Sequence, residues 1–200
     1  MSILKEMSVV AIILAAGESS RLGEPKQLLR FHGETLLARS IRLAADAGTY
    51  PILAVVGAHW ARIREAVDLT PAVPVFNPNW VEGIASSLRA GLEALETQSP
   101  RSDGALLMTC DQPYLTSAHL ITLLDQFRAH HAERIVASSY SDAVGTPAVF
   151  SRDLYVRLCS LRGDKGARVV LDEESDKLML VPFPLGEIDI DRPEDKQRLL

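Results

Sequence analysis

The stretch VVAIILAAGESSRLGEPK, residues 9–26, joins an apolar run to a loop that is rich in small residues and carries two cations. The run is apolar on both faces, which is typical of a strand in a parallel sheet covered on both sides. Small residues let backbone N–H groups approach oxygen atoms closely. Arg21 offers a planar fork and Lys26 a point charge for phosphate oxygens. The stretch predicts a phosphate-binding loop at the end of a strand; the alternative is a mobile surface loop with incidental charges.

The rest of the chain alternates short apolar runs with helical patterns. Strands are predicted at 9–14, 52–57, 72–76, 104–109, 134–139, 147–150 and 178–183, and helices at 35–48, 83–96, 116–131, 151–161 and 193–200. This rhythm predicts an α/β fold with a three-layer, doubly wound, mostly parallel sheet that is Rossmann-like. A surface loop is predicted at 97–104. Because ligands bind outside the carboxyl ends of strands in such sheets, the loop after the first strand is well placed for a site.

Bulk composition narrows the class of protein. The 200 residues predict a single domain, residues 1–200, and 47% hydrophobic residues suffice for a core. The formal charge of −5 and the scattered basic residues argue against a nucleic-acid surface. Cys110 and Cys159 form no Cys-x-x-Cys pair, which favours a reducing, cytoplasmic location. Residues 1–17 loosely resemble a secretory signal, but Glu6 and the short apolar stretch favour a buried strand, and no run approaches a membrane span.

The loop does not follow the two common nucleotide-binding patterns. A Walker A loop has four residues between its glycines and a lysine directly after the second, whereas Gly17 and Gly23 are separated by five residues. The dinucleotide fingerprint Gly-x-Gly-x-x-Gly fails because Ser19 stands at its second glycine. A P-loop ATPase and an ordinary NAD domain are therefore disfavoured.

The stretch LAAGESSRLGEPK, residues 14–26, resembles the loop Leu-Ala-Ala-Gly-x-x-x-Arg-hydrophobic-Gly-x-x-Lys of nucleotidyltransferases with a glycosyltransferase-A-like fold. Six further segments occur in the order expected of the molybdenum cofactor cytidylyltransferase branch: KQLLRFHGETLL (26–37), NPNWVEGIASSLRAGL (77–92), TCDQP (109–113), GTPAVFS (145–151), GDKGAR (163–168) and DIDRPED (189–195). The resemblance covers nearly the whole chain and implies a nucleotide-diphospho-sugar transferase type of fold. One departure is Thr146, where this branch is expected to have a histidine.

The resemblance implies a set of nucleotide-binding residues: Leu14, Ala15, Ala16, Gly17, Arg21, Lys26, Ser86 and Ser87. The small residues would face base and ribose, and the two cations would hold phosphates. The serines, at a predicted helix entrance, would touch a pyrimidine; their other interpretation is helix packing. The Ala15–Ala16 pair favours CTP, since the guanylyltransferase relatives usually have Ala-Gly-Gly there.

Two aspartates are candidate ligands for Mg²⁺, a hard cation that prefers carboxylate oxygens. Asp111 follows the apolar run 104–109, and the resemblance supports a metal role, although a turn aspartate is the alternative. The segment EIDIDRPED offers Asp189 and Asp191 on one face of extended chain. Asp191 precedes a Pro-Glu-Asp motif as metal ligands do in related enzymes, so it is preferred over Asp189; it could instead cap a helix.

The resemblance also implies that two further segments bind the acceptor, a molybdopterin-type pterin phosphate. They supply Gly145, Thr146 and Pro147 from the first segment and Gly163, Asp164 and Arg168 from the second. Physically, the second is a flexible cationic loop entering a helix, which suits a phosphate. An aspartate-capped helix after a turn is its other interpretation. Trp80, in NPNW, is a candidate for lining the cleft.

The resemblance therefore implies that the protein transfers CMP from CTP to the terminal phosphate of molybdenum-molybdopterin, with Arg21, Lys26 and Asp111 as catalytic residues and Mg²⁺ as cofactor. A molybdenum hydroxylase is a possible client, and neither nucleic acid nor membrane is expected as a partner. Three alternatives stay open: a GTP-using enzyme of the same fold, a sugar-phosphate-using one, and a non-catalytic accessory protein that binds the cofactor. An NAD(P)-dependent reductase is disfavoured by the missing fingerprint.

Overall fold

A computed structural model describes residues 7–98, 102–141 and 143–199. Its strands are β1 (Val9–Ala15), β2 (Arg30–Phe31), β3 (Glu34–Thr35), β4 (Ile52–Val56), β5 (Val73–Phe76), β6 (Gly104–Thr109), β7 (Ile135–Tyr140), β8 (Ala143–Ser151) and β9 (Leu178–Pro182). The seven strands predicted from apolar runs are all confirmed. β2 and β3, which were not predicted, pair with each other in a small antiparallel hairpin.

The main sheet has the strand order β5-β4-β1-β6-β8-β7-β9. The pairs β1–β4, β1–β6, β4–β5 and β7–β9 are parallel, whereas β8 runs antiparallel to both β6 and β7. The sheet is thus mostly parallel, as predicted. β5 forms one edge and carries Pro74 there, where a missing N–H is tolerated.

Six α-helices cover the sheet within the described ranges: α1 (Leu36–Asp46), α2 (Trp60–Ala66), α3 (Ile84–Gln98), α4 (Ser117–Ala129), α5 (Tyr155–Ser160) and α6 (Arg168–Glu173). Two of the helices begin at a threonine cap: Thr35 accepts a hydrogen bond from the Ala38 N–H, and Thr116 accepts one from the His119 N–H. Short 3₁₀ helices lie at Lys26–Leu28, Trp80–Glu82, Arg152–Leu154, Ser175–Lys177 and Pro193–Leu199. No helix in the described parts of the chain is long and apolar enough to cross a membrane.

The core lies in two layers, one on each side of the sheet. Alternate residues of β1 separate accordingly, with Ile13 in the layer beneath α1 and α4 and Ile12 in the layer beneath α3 and α5. Gly91 brings α3 close to β1, since a Cβ there would lie 2.6 Å from the Ile12 Cγ2. This two-sided burial explains why the runs that form β1, β4 and β6 are apolar on both faces.

Several local predictions need correction. The helix α2 was missed, and it has only seven residues and begins without a side-chain cap. A helix after the loop 163–168 was anticipated without bounds, and α6 begins there at Arg168. In the predicted helix 193–200, residues 193–199 form a 3₁₀ helix rather than an α-helix, and residue 200 lies outside the described residues. The Asp195 carboxylate accepts the N–H groups of Asp191 and Arg192 at the start of this 3₁₀ helix. In the predicted loop 97–104, residues 97–98 extend α3 and residue 104 begins β6, whereas 99–101 lie outside the described residues.

The topology places two loops at the same point of the sheet. From β1 the chain crosses to β4 on one side, and from β5 it returns to β6 on the other side of β1. The segments that follow β1 and β6 consequently leave the sheet next to each other. Such a reversal of strand order opens a crevice in which doubly wound proteins bind ligands.

Candidate functional site

A cleft of about 510 Å³ opens at the carboxyl ends of β1 and β6. Its volume lies within the range of small-molecule sites. Ten of the residues predicted from sequence line it: Leu14, Ala15, Ala16, Gly17, Arg21, Lys26, Ser87, Asp111, Asp164 and Asp191. Trp80 lines it too. Residues distant in the chain thus meet at one crevice.

The small-residue loop is held open by hydrogen bonds to its backbone. The Gln27 carboxamide, 1% exposed, donates to the Ala15 carbonyl at 2.8 Å and to the Gly17 carbonyl at 3.0 Å. The Ala58 N–H donates to the Ala16 carbonyl at 3.0 Å. Three successive carbonyl groups of the loop are thus bonded to the protein, and we expect the N–H groups of the loop to face a ligand. Sequence reasoning missed Gln27, although it follows Lys26 in the quoted motif.

Beyond Gly17 the loop turns tightly and positions its cations. The Leu22 and Gly23 N–H groups donate to the Ser19 carbonyl, and Gly23 has a positive φ of 80°, which favours glycine. The Ser19 hydroxyl accepts the Lys26 N–H at 3.2 Å. The turn therefore fixes where the Lys26 side chain begins, while its flexible stem remains free to choose a direction.

The two predicted cations and the two preferred aspartates form one cluster. The Lys26 Nζ donates to the Asp111 Oδ2 at 2.9 Å and also to the Asp191 Oδ1. The Arg21 guanidinium donates to the Asp191 Oδ2 at 2.7 Å. Two hydrogen bonds about one nitrogen place the two carboxylate oxygens within about 6 Å of each other. The geometry thus brings Asp111 and Asp191 to a common cation.

The electrostatics of the cluster favour its charged forms. Burial lowers the pKa of Lys26, but the charge of Asp111 and hydrogen bonds to Asp191 and Asp111 outweigh it, so the pKa lies above its usual value. Burial raises the pKa of Asp191, but the Lys26 hydrogen bond and the charges of Lys26 and Arg21 bring it below its usual value. Asp189 differs, because burial and the neighbouring Asp111 and Asp191 raise its pKa.

A short backbone contact carries Asp191 into the site. The Ile190 N–H donates to the Asp111 carbonyl at 3.1 Å, and the Ile190 side chain is fully buried against Leu22, Phe31 and Leu36. Anchoring Ile190 places the next residue at the end of β6. Both oxygens of the Asp191 carboxylate accept hydrogen bonds from the cations Arg21 and Lys26.

The donor set fits a magnesium-type ion. Two carboxylates converge on one cation position, and carboxylate oxygen is the ligand that Mg²⁺ prefers. Among the described residues no group of three or more His, Cys, Asp or Glu could hold a metal. A cation that binds together with a nucleotide usually has one or two protein carboxylates as ligands and takes its remaining ligands from water and phosphate.

At the other end of the cleft, the two predicted serines have different environments. Asn77, which sequence reasoning missed, donates to the Ser86 hydroxyl at 2.8 Å and to the Ser87 hydroxyl at 3.1 Å. The Ser86 hydroxyl donates to the Gly83 carbonyl at 2.9 Å, and Ser86 does not line the cleft. Ser87 lines the cleft, so its hydroxyl is the better placed of the two to meet a ligand.

Only one of the six predicted acceptor residues lines this cleft. Asp164 lines it, and Gly163 packs so closely on Gly83 that a Cβ there would lie 2.5 Å from the Gly163 carbonyl carbon. Gly83 has a φ of 96°, so both space and conformation favour glycine at the contact. Gly145, Thr146, Pro147, Gly163 and Arg168 do not line the cleft itself.

Gln112 and Tyr140 connect the strand β8 to the cleft. The Gln112 carboxamide, next to Asp111, donates to the Thr146 carbonyl at 3.2 Å and to the Gly186 carbonyl at 2.8 Å. Burial raises the pKa of Tyr140, while the nearby charge of Arg168 opposes that rise. Through Gln112, Thr146 of the first predicted acceptor segment is thereby linked to the end of β6.

Comparison with known proteins places the chain in a family. Residues 11–178 match the MobA-like NTP transferase domain. The chain is 31% identical to the nicotine blue oxidoreductase of Paenarthrobacter nicotinovorans, over 96% of each protein. It is also 31% identical to a probable molybdenum cofactor guanylyltransferase of Bacillus cereus strain Q1, over 58% of this chain and 54% of that protein.

Solved structures agree. The crystal structure of Rv0371c from Mycobacterium tuberculosis H37Rv superposes with a TM-score of 0.82 at 33% identity, covering 97% of this chain and 98% of that one. A manganese complex of Rv0371c superposes with a TM-score of 0.77 at 30% identity, over the same shares. The chain therefore belongs to the MobA-like NTP transferase domain family, a family of nucleotidyltransferases.

Proposed function

We propose that the protein transfers CMP from CTP to the terminal phosphate of a molybdopterin-type cofactor and releases pyrophosphate. The observation that carries the proposal is the convergence of Arg21, Lys26, Asp111 and Asp191 at the mouth of one cleft. A triphosphate needs this combination, because its charge must be neutralised by cations while carboxylates recruit a divalent ion. A molybdenum hydroxylase client and a cytoplasmic location remain predictions.

The chain's own residues supply position and charge. The loop N–H groups hold phosphate oxygens, and Arg21 and Lys26 add positive charge where the pyrophosphate leaves. Asp111 and Asp191 would hold Mg²⁺, which would neutralise charge on the triphosphate. The acceptor's terminal phosphate oxygen attacks the α-phosphorus in line, and the bond to the bridging oxygen breaks. A phosphate nucleophile is already ionised, so positioning replaces a general base.

The preference for CTP is supported by the base end of the cleft. Ala16 has the one methyl group that the Ala-Gly-Gly pattern of the guanylyltransferase relatives lacks, and it is nearly fully buried. The Ser87 hydroxyl accepts from Asn77, which leaves its proton available for an acceptor atom on the pyrimidine. Misreading one or two hydrogen bonds on a base edge costs about 1–3 kcal/mol, so we expect CTP to exceed GTP about tenfold or more in kcat/KM.

Pyrophosphate release tests the proposal. The purified protein is incubated with each of the four NTPs, with Mg²⁺ or Mn²⁺, and with molybdopterin as acceptor. Asp111→Asn serves as the negative control, because it removes a carboxylate charge from the cluster. Release with GTP equal to or faster than with CTP would refute the pyrimidine preference, and no release with any NTP would refute nucleotidyl transfer.

A reductase is the second candidate, favoured by one observation. The relative that matches over 96% of both chains is a nicotine blue oxidoreductase. A dinucleotide could place its pyrophosphate on the same loop, even though the dinucleotide fingerprint is missing. Oxidation of NADPH in the presence of a quinoid dye, by a preparation that releases no pyrophosphate from any NTP, would establish the reductase instead.

A further inference from the structure

The Lys26 ammonium occupies the position between the two carboxylates that a divalent cation would need. It hydrogen-bonds the Asp111 Oδ2 and the Asp191 Oδ1, while Arg21 holds the Asp191 Oδ2. Three of the four carboxylate oxygens therefore already face a cation. The lysine and aspartate side chains are 16–27% exposed, so these pairs are poorly screened by water.

The charges of the four hydrogen-bonded side chains balance without any metal; Asp189 lies near them, and the charges of Asp111 and Asp191 help to raise its pKa. Asp111 and Asp191 contribute two negative charges, and Lys26 and Arg21 contribute two positive ones. A divalent ion that entered alone would have to push the ammonium aside. Lys26 would then be a partly buried cation without an anion, beside a second cation, and both effects cost free energy.

A nucleotide changes this balance. Its phosphate oxygens offer new partners to the displaced ammonium and to Arg21, which is 67% exposed and free to turn. Lys26 can follow because its backbone N–H is fixed on Ser19 while its four-carbon stem rotates. A metal ion that arrives with a triphosphate thus leaves no charge unpaired.

We propose that Lys26 is the counter-ion of the Asp111–Asp191 carboxylate pair and prevents a free divalent cation from binding there. A divalent cation displaces Lys26 only when it binds together with a nucleotide. This inference rests on the metal site of the proposed function. It adds that the metal ion and the nucleotide bind jointly, and that the Lys26 ammonium moves from the carboxylates to a phosphate when they bind.

Binding of Mn²⁺, followed by electron paramagnetic resonance of the free ion, tests the inference without turnover. Wild type and Lys26→Met are titrated with Mn²⁺ alone and with Mn²⁺ plus CTP, in the absence of acceptor, and the Mn²⁺ that CTP binds without protein is subtracted. We expect CTP to tighten Mn²⁺ binding to the wild type about tenfold or more, which is about 1.4 kcal/mol. Without nucleotide, Lys26→Met should bind Mn²⁺ about tenfold more tightly than wild type.

Lys196→Met is the matched control, since it removes a lysine that pairs with Glu24 outside the carboxylate cluster. Lys26→Gln repeats the test if the methionine variant does not fold. Thermal denaturation gives a second readout, because Mn²⁺ alone should raise the Tm of Lys26→Met more than that of wild type.

The failures are distinguishable. Equal or weaker Mn²⁺ binding by Lys26→Met and Lys26→Gln, with tight binding in the presence of CTP, would overturn the counter-ion role and leave the metal site standing. Absence of Mn²⁺ binding in every variant, even with CTP, would overturn both. If Asp111→Asn in the Lys26→Met background abolishes the new Mn²⁺ affinity, the ion sits on the carboxylate pair as proposed.

Discussion

The carboxamide of Gln27 is the main support beneath the small-residue loop, and its replacement by leucine tests how that loop is held. Gln27→Leu keeps a side chain of similar size in a position that is 1% exposed. It removes the donors to the Ala15 and Gly17 carbonyls, which lie at 2.8 and 3.0 Å. The substitution thus changes hydrogen bonding much more than packing.

The expected loss of stability follows from those two contacts. A buried acceptor left without its partner costs about 1–3 kcal/mol. The Gln27 Oε1 is itself buried without a hydrogen-bond partner among the described residues, so its removal offsets part of the loss. We expect a net loss of about 2–4 kcal/mol in the free energy of unfolding, or a decrease in Tm of roughly 5–15 °C for a chain of this size.

Gln27→Leu should also weaken nucleotide binding, because the loop carbonyls would no longer be held in position. Gln27→Leu is therefore expected to raise the KM for CTP about tenfold while kcat falls less, because Gln27 supports the loop without facing the reacting atoms. Urea unfolding and steady-state pyrophosphate release measure the two effects. Gln126→Leu, on α4, is the control for a general effect of removing a carboxamide, and it should change neither quantity appreciably.

Two results would contradict this reasoning. A Tm within about 2 °C of wild type would mean that the loop carbonyls find other partners or water at little cost. A large decrease in Tm with an unchanged KM would mean that the loop does not bind the nucleotide in the way proposed.

Three further expectations follow from the cluster and the core. Lys26→Ala should lower kcat more than it raises KM in steady-state kinetics, and an unchanged kcat with a raised KM would limit Lys26 to ground-state binding. Arg21→Lys should have a lower kcat/KM than wild type if the guanidinium binds phosphate as a fork, and steady-state kinetics measures this too. Ile190→Ala should lower the free energy of unfolding by about 2–5 kcal/mol. It should also reduce kcat, because the buried Ile190 side chain holds the neighbouring Asp191 in place. A loss of stability with normal turnover of the remaining folded protein would show that Asp191 needs no such anchor. Burial lowers the pKa of His119 from 6.5 to about 4, so the unfolded chain binds a proton that the folded protein does not, and stability should decline as the pH falls from about 6.5 towards 4. Urea unfolding of His119→Phe over that range should lack this part of the decline, and identical pH profiles would contradict the assignment.

Local sequence pattern was sufficient for most of the architecture. The runs that became β1, β4 and β6 are apolar throughout because each is covered on both faces, and that burial is visible in the sequence as unbroken hydrophobicity. The helices α1, α3 and α4 are long enough to repeat their apolar spacing several times. The short α2 and α6 repeat it too little, so neighbouring structure rather than sequence pattern decides that they are helical.

The phosphate loop could also be recognised from sequence, because Gly17, Arg21 and Lys26 belong to one continuous motif whose spacing is independent of the fold. Its support could not. Gln27 stands beside Lys26 in that motif, but only the turn after Ser19 directs its carboxamide back to the Ala15 and Gly17 carbonyls.

Tertiary structure alone decided which groups meet. Asp191 is 165 positions from Lys26 in the sequence, yet the two side chains are in contact. This contact, which Asp191 was preferred over Asp189 to make, depends on the buried Ile190. Its backbone N–H donates to the Asp111 carbonyl and so sets the direction of the next side chain. Tertiary contacts also decide which of the two serines faces the cleft. Asn77 bonds both hydroxyl groups, but the Ser86 hydroxyl also donates to the Gly83 carbonyl, whereas Ser87 lines the cleft. A sequence motif determines which chemical groups are present, whereas distances between remote groups depend on how buried side chains pack, and that packing is a property of the whole chain.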